Sequence, residues 1–190
     1  MVPECGLLLL TGGRGRRFGA PKHAQPHPAG GSWGGQLVAV FAATFPDGPV
    51  QLLGAGLPDR PELAPLADPR EGPAVALRHW AGGRPAPARR WWTVACDLVR
   101  WTPGALAAWH AAAVQADPGA ASWVLGRYRD RLQPLGGFLA GDLLADLARS
   151  PATSLLGLAE GLPHTVLEVA GPEWLDVDTP EALRGWLDQG

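Results

Sequence analysis

The chain has 190 residues, of which 46% are hydrophobic and 18% charged, a balance that suits one packed domain spanning residues 1–190 and excludes a disordered segment. Its net charge of −2 argues against a general nucleic-acid binder. No apolar run reaches the roughly 20 residues that a membrane-spanning helix needs.

The opening, MVPECGLLLLTGGRGRR, lacks a basic n-region and a small-residue cleavage site, so a cytoplasmic location is expected. Gly6 to Thr11 reads as a first, fully buried strand. Residues 23 to 35, HAQPHPAGGSWGG, are rich in Pro and Gly and are expected to form a mobile surface loop, with His23 and His27 facing solvent. A helix over Gln36 to Thr44 and a second strand over Val50 to Leu53 follow. After the turn Asp68-Pro-Arg-Glu-Gly-Pro73 comes a helix over Ala74 to Trp80. Trp91 to Cys96 is a third strand, and Pro103 to Gln115 a helix with proline in its first turn.

Ser122 to Gly126 and Leu132 to Leu139 form two strands joined by the charged turn Arg127-Tyr-Arg-Asp-Arg131. Helical segments are expected over Asp142 to Arg149 and Thr153 to Glu160, and short late strands over His164 to Val169 and Trp174 to Val177. Thr179-Pro180-Glu181 caps a closing helix, its hydroxyl placed to accept free backbone N–H groups. Strands alternating with helices predict an α/β layer fold with a largely parallel sheet.

Two features carry chemistry. Cys5 and Cys96 are the only cysteines and have no histidine cluster near them, so they are expected to be buried, reduced thiols. The stretch Leu10 to Lys22, LTGGRGRRFGAPK, follows the first strand, where ligands of such sheets bind. Its glycines let backbone N–H groups approach phosphate oxygens, and Arg14, Arg16, Arg17 and Lys22 balance the charge. Lys22 is the only lysine in a chain that uses arginine everywhere else. The stretch is neither a P-loop, since it contains no Gly-Lys pair, nor a dinucleotide fingerprint, since Gly19 comes one residue late. That misplaced glycine disfavours a Rossmann-type oxidoreductase.

G-G-x-x-x-R-[FM]-G-x-x-K after a first strand resembles the signature of the molybdenum cofactor guanylyltransferases and their cytidylyltransferase relatives. Asp68-Pro-Arg-Glu-Gly-Pro73 is similar to that family's D-x(n)-G-P segment, and Val94-Ala-Cys-Asp97 to its metal-binding strand end. Gln133-Pro134-Leu135 resembles an acceptor-side segment. Trp174 to Leu183 resembles the closing strand and helix written N-x-N-T-P-[ED]-x-L. The sequence departs from the pattern at Gly15, where serine is usual, at Val99, where proline is usual, and at Asp176 and Asp178, where the guanylyl enzymes often carry asparagine.

The resemblance implies a three-layer Rossmann-like fold with a mostly parallel mixed sheet, of the nucleotide-diphospho-sugar transferase type. It implies a nucleotide site made of Leu10, Thr11, Gly12, Gly13, Lys22, Asp68 and Asp97. Arg17, Lys22 and Asp97 would be catalytic, and Asp97 would hold Mg²⁺ with Asp176 or Asp178 as an alternative second ligand. The implied reaction moves GMP from GTP to a molybdopterin-type cofactor, with cofactor-delivery or acceptor proteins as partners. Two alternatives stay open: cytidylyl transfer to the same acceptor or NTP transfer to another small phosphorylated metabolite, and a non-catalytic nucleotide-binding protein.

Overall fold

A computed structural model of the chain describes residues 1–13 and 18–187. The strands are β1 (Cys5–Leu10), β2 (Val50–Leu53), β3 (Pro65–Leu66), β4 (Arg90–Ala95), β5 (Trp123–Tyr128), β6 (Arg131–Ala140) and β7 (His164–Val169). They form one seven-stranded sheet in the order β3-β2-β1-β4-β6-β5-β7. Every pairing is parallel except those of β6, which runs against both β4 and β5. The helices are α1 (Trp33–Thr44), α2 (Pro73–Gly82), α3 (Pro103–Ala116), α4 (Leu144–Arg149), α5 (Leu155–Gly161) and α6 (Pro180–Leu187).

The strand sequences explain the layering. Successive side chains of a strand point to opposite faces, so an unbroken apolar run needs cover on both. Leu7 and Leu9 of β1 pack with Trp92 against Leu37 and Phe41 of α1 and Leu106 and Trp109 of α3. Leu8 and Leu10 pack with Trp91 against Leu77 of α2, Leu147 of α4 and Leu158 of α5. The expected three-layer, mostly parallel α/β fold is what the chain adopts.

Register fixes where the loops emerge. Leu10 pairs with Leu53 of β2 on one side and with Ala95 of β4 on the other, so all three strands end level. The chain leaves β1 toward β2 and later returns to β4 on the opposite flank, which opens a crevice at the carboxyl rim of the sheet.

Three expectations need correction. Trp174 to Val177 is not a strand: Pro172–Trp174 is a 3-10 turn, and the extended residues after it reach the sheet region through one bond, from Val177 N–H to the Asp97 carbonyl at 3.0 Å. Proline at 172 and the acids at 176 and 178 leave no repeating ladder for this segment to join. The segment 23–35 is not wholly an irregular surface loop. Lys22–Ala24 forms a 3-10 turn, Pro26 bridges to Ser32, and Trp33 is fully buried at the start of α1. Finally, β3 was not anticipated; two residues beginning with proline carry no periodicity, and proline's missing N–H suits the sheet edge it occupies.

Candidate active site

A cavity of about 1100 Å³ opens at the carboxyl rim, walled by the segments that follow β1, β2, β3 and β4. Leu10, Thr11, Gly12, Gly13, Lys22, Asp68, Asp97 and Asp178 all line it, although they come from five parts of the sequence. Asp176, one residue before the Val177 anchor, is not in the cavity lining but interacts electrostatically with Asp178 and Asp97. Arg17 lies outside the described residues, as do Arg14, Gly15 and Arg16.

Individual side chains take different duties from those their positions suggest. Leu10 turns its side chain into the α2 layer and offers its backbone, the carbonyl accepting from Cys96 N–H at 3.2 Å. Thr11 is fully buried, and its hydroxyl donates to the Ala55 carbonyl at 2.7 Å while accepting from Ala55 N–H at 2.9 Å. It therefore staples the loop after β2 to the loop after β1, leaving only its backbone to the cavity. Gly12 lies so close to Asp68 that an added Cβ would fall 2.2 Å from Asp68 Oδ2. A side chain at position 12 would force the Asp68 carboxylate to move.

Lys22 is the electrostatic centre. Its ammonium donates to Asp97 Oδ2 at 3.1 Å and also to Asp178 Oδ1, 75 and 156 residues away in sequence. Burial works against its charge, but the Asp178 and Asp97 carboxylates outweigh burial and raise its pKa above the ordinary 10.5. Asp176 is raised too, first by partial desolvation and then by the like charges of Asp178 and Asp97. Three acids thus crowd one cation. The Cys96 thiol lines the same wall, its pKa pushed up to about 12 chiefly by burial.

A small apolar cluster beneath the acids fixes their spacing. Val177, Val99 and Trp33 pack together with Phe18, Ala182, Leu183 and Trp186 around them. Val99 thereby shows what replaces the usual proline after the strand-end acid: a fully buried packing residue. Ser32 caps α1 by accepting from Gly35 N–H, and Asp59 holds Ser32 by accepting from its hydroxyl at 2.6 Å and its N–H at 2.8 Å. Burial raises Asp59, but these hydrogen bonds prevail and its pKa falls below the ordinary value.

The two loop histidines also differ from expectation. His23 is buried against the cavity wall, and burial lowers its pKa although the Thr11 backbone opposes this. His27 donates from Nε2 to the Val99 carbonyl at 3.3 Å and accepts from Ala29 N–H at Nδ1, so one neutral tautomer satisfies both contacts. Its ring meets Trp186, over which Arg100 lies 5.6 Å from the ring centroid. Trp33 and Trp101 are core residues. Gly54, Ala55 and Arg70 line the cavity without having been singled out from sequence; the sole signal was Arg70's place between Asp68 and Gly72-Pro73.

Residues 7–166 match the family described as the MobA-like NTP transferase domain. The chain belongs to that family. Its activity class is accordingly nucleotidyl transfer from a nucleoside triphosphate. No curated protein matches the chain. Among solved structures, Rv0371c from Mycobacterium tuberculosis H37Rv superposes with a TM-score of 0.71 at 21% identity, covering 99% of both chains. A structure of Rv0371C in complex with manganese gives 0.65 at 19%, covering 100% of both. Molybdopterin-guanine dinucleotide biosynthesis protein A from Archaeoglobus fulgidus gives 0.69 at 15%, covering 97% of this chain and 100% of that one. A 4-diphosphocytidyl-2C-methyl-D-erythritol synthase from Anaerococcus prevotii gives 0.68 at 9%, covering 98% and 96%. At these identities the likenesses establish the fold.

The donor set of this MobA-like transferase fits a hard divalent cation. Asp97 and Asp178 offer oxygens that converge on one point, now shared with the Lys22 ammonium. Among the described residues no group of three or more His, Cys, Asp or Glu is assembled as a metal cage. That agrees with small hard cations held by one or two carboxylates and completed by substrate phosphates. Among the described residues no helix is long and apolar enough to cross a membrane.

Proposed function

We propose that this MobA-like transferase moves GMP from GTP to the phosphate of a molybdopterin-type cofactor, releasing pyrophosphate. The observation that carries the reading is the meeting of Lys22 and Asp97 at 3.1 Å inside one cavity, on loops leaving adjacent parallel strands. The backbone of Leu10 to Gly13 receives the base and ribose, and Asp68 accepts from the base edge. Lys22, with Arg17, balances the triphosphate charge. An acceptor phosphate oxygen attacks the α-phosphorus, a new P–O–P linkage forms, and the bond to the β-phosphate breaks. The acceptor phosphate is already ionised near neutral pH, its second pKa being about 6, so no side chain has to remove a proton. Lys22 neutralises the pyrophosphate as it departs.

Asp97 and Asp178 would hold Mg²⁺, which when bound offsets negative charge on the phosphate oxygens. Manganese in the structure of a relative supports a divalent cation, not the choice of magnesium. A second reading, cytidylyl transfer, draws on Asp176 and Asp178 in D-V-D-T-P, a pattern the cytidylyl relatives share.

Incubating the protein with each NTP, Mg²⁺ and molybdopterin while detecting pyrophosphate tests both readings. GTP-dependent release is expected, and CTP-dependent release would install the second reading. Lys22→Ala and Asp97→Ala are each expected to lower turnover at least about 100-fold, with far-UV spectra unchanged. Normal pyrophosphate release by Asp97→Ala would refute its metal role.

A further inference from the structure

Arg70 lines the cavity from the segment between β3 and α2, and its side chain is exposed to that space. Its backbone is in the left-handed region, φ 63°, held there by its own N–H donating to Asp68 Oδ1 at 2.8 Å. Among the described residues no hydrogen bond or ion pair engages its guanidinium. Its chain neighbour Asp68 spends Oδ1 on that N–H and presses Oδ2 against Gly12 in the turn after β1.

One short segment therefore offers the cavity a carboxylate acceptor and a multivalent donor two residues apart. A phosphate would need the donor and be repelled by the acceptor. A purine edge carrying a carbonyl beside N–H groups would use both. Guanine has this arrangement, its O6 accepting while N1–H and the N2 amine donate.

We infer that Arg70 is a base-reading residue, its guanidinium donating to O6 of guanine while Asp68 accepts from the N1–H and N2 amine. The inference rests on the GTP reading above and adds a residue that the D-x(n)-G-P pattern leaves unspecified. Arginine suits the task because its planar donors sit at a fixed angle and never lose their charge.

The test measures dissociation constants of the full-length protein for four probes: GTP, ITP, 2-aminopurine riboside triphosphate and CTP, together with inhibition by pyrophosphate. ITP keeps O6 and N1–H and lacks the N2 amine; the 2-aminopurine compound keeps the amine and lacks both O6 and N1–H. Arg70→Ala is expected to weaken GTP and ITP by about tenfold. It should leave the 2-aminopurine compound and pyrophosphate inhibition unchanged. Asp68→Asn should weaken GTP most and ITP less, because ITP keeps the N1–H and lacks only the N2 amine. Because Arg70 is exposed, its variant is expected to keep the wild-type melting temperature, which separates binding from folding.

Equal weakening of GTP and the 2-aminopurine compound by Arg70→Ala overturns the inference. Parallel weakening of every triphosphate and of pyrophosphate puts the guanidinium on phosphate and also overturns it. Wild-type protein that binds CTP more tightly than GTP overturns the guanine reading first, and the role of Arg70 with it.

Discussion

Fifteen of the sixteen basic side chains are arginines, yet the one that meets Asp97 and Asp178 is a lysine. An ammonium is a compact charge with freely rotating donors, able to serve carboxylates arriving from different directions where a planar fork could not. Because its folded pKa is raised, the stability Lys22 contributes is fully present below the ordinary 10.5 and fades as pH climbs through the higher folded value. Asp176 has the opposite consequence. Its folded pKa is also raised, so for an acid the contribution is present below the ordinary 3.8 and lost as pH rises through the folded value. At neutral pH its charge opposes folding. Asp176→Asn is therefore expected to raise the melting temperature at pH 7 by about 2 °C, a modest gain because the side chain keeps contact with solvent. The gain should vanish below the ordinary 3.8, where both states of the wild-type acid are protonated. Calorimetry across pH 3 to 8 measures it, and a pH-independent gain would contradict the crowding of acids.

At the scale of elements, the start of α1 governs the site from beneath. Asp59 grips Ser32, Ser32 caps the helix, Trp33 supports Val177, and the Val177 N–H holds the Asp97 carbonyl. Each link is a short local contact, yet together they set how far Asp97 stands from Asp178. Asp59→Ala should cost about 1 kcal/mol at pH 7, near the low end for a capping network because this carboxylate is exposed. Its folded pKa is depressed, so the contribution is present above the ordinary 3.8 and disappears as pH falls through the folded value. Urea melts should therefore show a smaller stability difference between wild type and variant at pH 3 than at pH 7. Equal losses at both pH values would mean that Asp59 acts through packing alone.

For the molecule as a whole, the reversed strand β6 and the tryptophans decide how the two halves of the sheet share a core. Trp174 sits on the backbones of β5 and β6 and meets Trp101 and Trp109 edge-on, at 5.3 and 5.0 Å between ring centroids. The Gly136 carbonyl accepts from both Trp92 and Trp109. A Cβ on Gly126 would come within 2.5 Å of the Trp174 ring. Gly126→Ala should destabilise the protein by about 1–3 kcal/mol, the range for overpacking a filled core. Trp174 also leads directly into Asp176 and Asp178, so the variant should lose activity beyond its loss of stability. Chemical denaturation together with residual turnover at low temperature checks both, and a neutral substitution would mean that Trp174 can shift freely.

Much of the architecture was legible because β1, β2 and β4 are short, unbroken apolar runs, and such runs are comfortable only when buried on both faces. The order of Gly12-Gly13, Lys22, Asp68, Asp97 and Asp178 along the chain was legible too, since ligands of parallel sheets collect at strand ends. Local pattern could not tell that Trp33 and His23 turn inward, that Thr11 spends its hydroxyl on a neighbouring loop, or that Trp174 to Val177 never pairs as a strand. Those outcomes depend on contacts between residues tens of positions apart, where packing overrides composition. Sequence alone set six of the seven strands, the approximate places of the helices and the cationic stretch after β1; the tertiary structure decided which charges face one another, because only folding brings Lys22 against two acids 75 and 156 residues downstream.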